Sequence, residues 1–427
     1  MNKEELKKLV FLEIEKNADA IIGIGEKIKN NPEMGYKEHK TAALVKEELS
    51  RLGMSVKDTL AETGVKAKLC GGSSDITVAV MGELDAILCV TNPDADPITG
   101  AAHACGHNAQ IAAMLGVAMG LAPFAEHLGG DVCFFATPAE EYVEMAYRES
   151  LSEKGRIKFF GGKQELIRIG EFDDIDLAMM VHANGDTPEP AAFIGGGSLG
   201  FVAKTVRFIG KAAHAGSAPF EGINALNAAM AALMCMHAQR ETFRDEDKIR
   251  VHPIITGGGE IVNVVPANVT METYVRGANV SGIEDASAKV DRAIEGASYA
   301  IGAKAEIRNY KGYLPLIQNE ALSAVFEECA KEFIPEDKIY HGYETAGSSD
   351  VGDLSHLIPT IQPTMGGYFG SLHSKEFKIS DVNTAYIIPA KIMAATVIEL
   401  LVGDAECAKR IKAEFKPILT KEKYIKI

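Results

Sequence analysis

The sequence predicts an α/β protein, a mixed sheet with helices on both faces, interrupted by an inserted α+β domain. Three observations carry this prediction. Continuous β-prone runs at 76–81, 131–136 and 177–181 alternate with helical stretches, as in strands covered on both faces. At Gly195-Gly196-Gly197-Ser198 the composition shifts, and two glycine-flanked alternating strands follow, 201–210 and 269–276. After Leu314 the first style resumes, which splits the first domain in sequence: 1–197 and 313–427 around an insert at 198–312. A chain of 427 residues, 47% of them hydrophobic, is long enough for two cores.

In chain order, apolar positions Leu6, Val10, Ile14, Ala18, Ile21 and Ile22 near helical spacing predict one helix over 3–29, ended by Asn30-Asn31-Pro32. A second helix spans 38–52, with Gly53 where a left-handed cap is wanted. The strand at 76–81 delivers Glu83 and Asp85, and the Ala-, Met- and Leu-rich stretch 109–121 is a buried helix. The strand at 131–136 delivers Glu140 and Glu141, and that at 177–181 delivers His182. Strands at 201–210, 250–255, 269–276 and 303–310 with helices at 222–240 and 282–302 make the insert a helix-covered antiparallel sheet. A helix at 319–333, a glycine-rich loop holding His373 and a helix at 381–401 complete the chain.

A formal charge of −15, from 59 acidic and 44 basic residues, argues against nucleic acid or an anionic membrane as partner and for a small-molecule substrate. No uninterrupted apolar run looks long enough to span a bilayer, and the N-terminus opens a charged helix. Seven scattered cysteines suit a reducing compartment, so the expected location is cytoplasmic. Gly195-Gly196-Gly197 and Gly257-Gly258-Gly259 lack the context of a phosphate cradle, and no G-x-S-x-G elbow is present.

The chemistry gathers at His103-Ala104-Cys105-Gly106-His107-Asn108. A thiolate and an imidazole two residues apart on a turn can face one cation, although an isolated C-x-H is more often a buried cysteine beside structural histidines. Company changes that balance. Gly82-Glu83-Leu84-Asp85 and Pro138-Ala139-Glu140-Glu141 end apolar strands, and His182 and His373 follow. Five candidate ligands, Cys105, His107, Glu141, His182 and His373, exceed one tetrahedral shell. They suit two divalent ions, zinc or manganese, that share a ligand and activate a water. Glu140, beside Glu141 but off the metals, is placed as general base. Asp85 either orients a histidine or bridges.

These segments, with Ser348-Ser349-Asp350-Val351-Gly352-Asp353, resemble the aminoacylase and carboxypeptidase-type family of binuclear metallohydrolases over essentially the whole chain. Within it the sequence is similar to the Cys-ligand subgroup of hippurate, indoleacetyl-amino-acid and p-aminobenzoyl-glutamate hydrolases, leaning toward the last. The resemblance implies the metal-dependent exopeptidase fold, metal at Cys105, His107, Glu141, His182 and His373, and proton transfer by Glu140. It implies an insert acting as dimerisation and lid domain, in which Lys211-Ala212-Ala213-His214-Ala215 supplies a histidine to the active site. Asn263 and Arg276 fall on its substrate-carboxylate positions.

One departure from the family pattern is the insertion at 142–160, which stands before Gly161-Gly162-Lys163 and forms either one wall of the pocket or a surface helix. The expected activity is hydrolysis of the amide of N-acyl or N-aroyl amino acids. A dipeptidase or aminopeptidase shares the metal site, and a non-catalytic subunit keeping the fold is the alternative from another class. The expected assembly is a homodimer through the insert, with 201–210 as its exposed rim strand and His214 serving the neighbouring chain.

Overall fold

The computed structural model describes residues 1–72 and 75–426. It divides into two compact units, Met1–Gly197 with Ile317–Thr345 and Asp353–Ile427, and Ser198–Leu316 with Ala346–Gly352. The insert thus runs past the expected boundary at 312 and also takes up the segment around Ser348. Local bonds explain this. Leu199 N donates to Gly347 O (3.0 Å), Arg276 Nη1 donates to Ser348 Oγ (2.9 Å), and a Cβ on Gly352 would meet Leu314 O at 2.0 Å.

The larger unit is built on a six-stranded sheet in the order Ser55–Leu60, Gly64–Leu69, Asp131–Thr137, Thr77–Glu83, Leu177–Met179, Thr360–Ile361. The last four strands are parallel and the first two antiparallel, so the sheet is mixed. Every residue of Thr77–Glu83 is buried, because helices cover both faces and no polar alternation is needed. The outer pair has no apolar run to announce it: in Ser55–Leu60 only Leu60 is buried.

Against the main sheet lies His107–Leu121, a helix buried along its whole length, packed with Ile388–Leu401 and the N-terminal helices. The single helix expected over 3–29 is two, Lys3–Lys16 and Ala18–Lys29. They part at Asn17, whose Nδ2 donates to Glu13 O (2.8 Å) and competes with the backbone ladder. Contrary to the sequence reading, His107–His127 and Asn383–Leu401 are long and apolar enough to cross a bilayer, but 78% and 89% of their most apolar stretches are buried inside the protein.

The smaller unit is an antiparallel sheet in the order Arg250–Gly257, Asn268–Gly277, Gly200–Ile209, Lys304–Lys311. The helices Ala225–Ala238 and Val280–Ile301 pack on it around Val206, Phe208, Met271, Val290 and Ile294. This corrects the rim-strand expectation. Gly200–Ile209 is an inner strand bonded on both sides, and the free edges belong to Arg250–Gly257 and Lys304–Lys311. Both inner strands alternate in sequence because only one face of this sheet is covered.

Candidate metal centre

The parallel strands of the larger unit end along one edge, where Glu83, the acidic pair and His182 emerge. Cys105 and His107 reach the same edge on the turn that opens the buried helix. Gly106 is required there on two grounds: its φ is +80°, and a Cβ would stand 2.7 Å from the Ala183 methyl, next to His182. His373 has φ +61° and is pinned to the same turn by its N–H, which donates to Ala104 O (2.8 Å).

All five expected ligands come together. The donor atoms of Cys105, His107 and His182 lie within 4.8 Å of one another, as do those of Cys105, Glu141 and His373. Cys105 Sγ is 3.4 Å from His182 Nε2 and 3.2 Å from His373 Nε2, so the sulfur is common to both groups. Burial and Glu141 push the Cys105 thiol up, but His182, His373 and His107 outweigh them and hold it at about 6. It is therefore mainly a thiolate at neutral pH. Burial also raises the Glu141 carboxyl, and His373 more than offsets it, so Glu141 stays ionised.

The chemistry of this donor set fits divalent metal. His107 Nδ1 lies 2.9 Å from Asp85 O and carries the proton that this carbonyl accepts. Nε2 is then the nitrogen that faces inward, where it is buried. Burial lowers the pKa of this ring, but Glu83 and Cys105 more than offset it and raise it well above the ordinary histidine range. A bound cation would take the place of the Nε2 proton. His182 is set the same way, with Nδ1 2.9 Å from Ala183 O. The Asp85 carboxylate lies behind these groups. Its Oδ1 is 3.4 Å from His107 Nδ1, and its Oδ2 accepts from Glu141 N (2.8 Å). Among the described residues it joins none of the three clusters.

Glu140 belongs to neither group around Cys105. Its Oε2 is 4.0 Å from His107 Nε2, in a third cluster with Glu83 and His107. Just before the two carboxylates Ala139 adopts φ +53°, a left-handed conformation that costs a non-glycine residue and persists only when held. Glu38 Oε1 accepts from Ala139 N (2.8 Å), and Arg148 Nη1 donates to Ala139 O (3.3 Å).

Arg148 also donates to the carbonyls of Val143 (2.8 Å), Glu141 and Phe160, with its guanidinium carbon 5.2 Å from the Tyr36 ring centre. It is 1% exposed. The helix Met145–Glu153 within the insertion at 142–160 buries Arg148 and Leu151 and through Arg148 sends one cation under the acidic pair. Burial and then Asp85 push the Glu38 carboxyl up to about 7.

The sequence alone gives no role to Glu38, Lys163 or Gln110, and offers Arg148 only as one of the groups of the insertion for a pocket wall. Glu83 shows in the sequence only as part of a strand end, though a glutamate terminating a fully apolar strand signals a buried partner.

His214, Asn263 and Arg276 lie in the smaller unit. His214 is exposed, and its Nδ1 accepts from the backbone N–H groups of Gly216 and Ser217 (3.1 Å each), so the neutral ring carries its proton on Nε2. Ala215 N donates to Asn263 O (2.9 Å), which places Asn263 beside the histidine loop. Arg276 lies elsewhere in the unit, its guanidinium carbon 5.4 Å and 5.5 Å from the ring centres of Phe201 and Tyr274. In register it pairs with Phe201, near the start of Gly200–Ile209, while the histidine loop follows the other end of that strand.

Comparison with known proteins gives a consistent picture. Residues 79–398 match the model of peptidase family M20/M25/M40. The chain is 28% identical to an Xaa-Arg dipeptidase of Mus musculus over 99% of its own length and 95% of that protein's. It is 27% identical to an N-acetyl-L-cysteine deacetylase of Bacillus subtilis, covering 77% and 75% of the two chains. Among solved structures, a dinuclear metal-binding peptidase of Bacillus subtilis superposes with a TM-score of 0.70 at 20% identity, over 91% of this chain and 99% of that one.

Proposed function

This chain belongs to peptidase family M20/M25/M40 and is a metal-dependent hydrolase of amide or peptide bonds, and from that premise we propose that it releases an amino acid from an N-acyl or N-aroyl amino acid. The observation that carries the proposal is the pair of three-ligand groups sharing Cys105, with Glu140 beside them and outside both. Two divalent ions, zinc or manganese, would be held by Cys105, His107 and His182 and by Cys105, Glu141 and His373, and would acidify a water and polarise the scissile carbonyl.

The remaining steps belong to this chain's side chains. Glu140 accepts the proton of the attacking water and returns it to the departing amino nitrogen. Asp85 keeps His107 in the tautomer that faces inward. His214, with its proton on Nε2, donates to the carbonyl oxygen as negative charge develops there. Arg276, with Asn263, receives the free carboxylate of the substrate.

Arg276 and His214 cannot serve one small substrate from one chain. The strand between them is 10 residues long, which at about 3.3 Å per residue separates its ends by roughly 30 Å. A homodimer in which His214 enters the neighbour's site resolves this. The free edge Arg250–Gly257 is its natural seam. Ile254 and Ile255 are exposed on it, and Met230 and Met234 are exposed on the helix Ala225–Ala238. That helix runs alongside the edge, since Arg240 just beyond its end donates to Val251 O (3.1 Å). The opposite edge, Lys304–Lys311, exposes Lys304, Glu306, Arg308 and Asn309 instead.

A dipeptidase reading is favoured by the similarity to the Xaa-Arg dipeptidase along nearly the whole chain. The two readings share every step and differ in what the acyl side carries. An assay of metal-loaded protein against N-acyl, N-aroyl and dipeptide substrates with matched C-terminal residues separates them. Turnover of the acylated compounds over dipeptides supports the first, a free amino terminus being required supports the second, and no turnover of either class contradicts both.

A further inference from the structure

Beyond the five ligands and the general base, one charged pair at the metal edge has no role in the reaction as described: Glu83 and Lys163, both with 0% exposed side chains. Glu83 is anchored three ways. Its Oε1 accepts from Lys163 Nζ at 2.6 Å, its Oε2 accepts from Gln110 Nε2 at 2.9 Å, and its N–H donates to Gln110 Oε1 at 3.2 Å. Oε2 lies 3.2 Å from His107 Nε2, the ring nitrogen that faces the metal cluster. Two lone pairs that close in a water-poor pocket repel unless a proton or cation lies between them.

Lys163 is placed as firmly as Glu83. It is the second residue of the helix Gly162–Ile169, which starts against the loop carrying the acidic pair. Gly162 N donates to Ala139 O (3.3 Å), and a Cβ on Gly162 would stand 1.7 Å from Pro138 O. However far the insertion at 142–160 travels, the chain must come back to this point, and it comes back with an ammonium aimed at Glu83. The pair therefore couples the end of one strand to the loop after the next.

We propose that Glu83, locked in place by Lys163, is a further carboxylate directed at the ion on the His107 side, and that Lys163 is a positioning residue for that ion's site. This rests on the two-ion reading above. Two opposing effects make it testable. If Lys163 acted only as a nearby positive charge, removing it would tighten binding of a divalent cation; if it positions Glu83, removing it weakens binding even though a repelling charge has gone.

The experiment titrates metal-stripped protein with Zn2+ and with Mn2+ by calorimetry, for wild type, Lys163→Met and the double variant Lys163→Met/Glu83→Gln. The double variant leaves no unpaired buried charge and guards against misfolding of the single one. Expected results are two ions in wild type, and in both variants one ion bound as before and the second at least tenfold more weakly. Equal affinity for both ions in a folded double variant would overturn the role of Glu83. Tighter or unchanged binding in a folded Lys163→Met would overturn positioning by Lys163, and Lys163→Gln, which keeps a neutral donor toward Glu83, gives the same reading if the methionine variant does not fold. Failure of wild type to bind a second ion would instead contradict the two-ion reading itself.

Discussion

Two loops carry the proposed proton chemistry, and they are built in opposite ways. The acidic-pair loop of the larger unit is closed on all sides. Arg148 holds three of its carbonyls and that of Phe160, Glu38 holds the strained Ala139 from the other side, and Asp85 accepts from Glu141 N. The histidine loop of the smaller unit is held by local bonds, between the backbones of Ala213 and Val265 and of Ala215 and Asn263, and by its own His214 ring, which accepts from Gly216 N and Ser217 N. His214 and the neighbouring Ile261 and Val262 stand in the open. A site preorganised by buried partners is complete in itself; a donor presented on an exposed loop is complete only against another surface.

The largest effect belongs to the closed loop. Glu140→Gln should lower kcat by roughly a hundredfold to ten-thousandfold, with both ions retained in elemental analysis. Loss of metal along with activity would make Glu140 a ligand instead. On the open loop, His214→Ala should cost roughly 10²–10³ in kcat without loss of metal. Mixing it with Glu140→Gln under conditions of subunit exchange should restore activity, since one site of the mixed dimer has an intact base and an intact partner histidine. Proven exchange without recovery would return His214 to its own chain or to no role.

Stability separates the loops next. Arg148→Met strands several buried carbonyls and should lower unfolding free energy by roughly 3–5 kcal/mol, measured by urea denaturation, with turnover falling because Ala139 is released. An equally stable variant with normal turnover would mean that the insertion does not shape the acidic pair.

Glu38 adds a pH signature. Its carboxyl is raised from 4.5 to about 7, by burial first and Asp85 second, so the folded state holds this proton more tightly than the unfolded one. The stability it contributes is full below about pH 4.5 and is lost as pH rises through about 7. In metal-stripped protein Glu38→Gln should remove that decline, a difference on the order of 3 kcal/mol at pH 8. Parallel stability curves for wild type and variant would show Glu38 ionised throughout.

The same contrast explains what could be read from the chain alone. Strands buried on both faces announce themselves as apolar runs, so Thr77–Glu83 and Asp131–Thr137 and the residues they deliver were legible. The order of strands in the smaller sheet was not. Gly200–Ile209 alternates like an edge strand, and nothing in its sequence says that Lys304–Lys311 pairs along its far side. Nor do spacings reveal partners brought from afar: Glu38 and Ala139 are about a hundred residues apart, and Arg148 looks like one more surface cation until its carbonyls are counted. Metal ligands are easier because their residue types are few and chemically distinct.

The most direct measurement is metal stoichiometry across the two ligand groups. Cys105 is common to both, His182 belongs to one and His373 to the other. Wild type should bind two divalent ions per chain, His182→Ala and His373→Ala one each, and Cys105→Ala should lose tight binding of both. A wild type that saturates with a single ion at full activity, or a Cys105→Ala variant that keeps two, would contradict a centre bridged by Cys105.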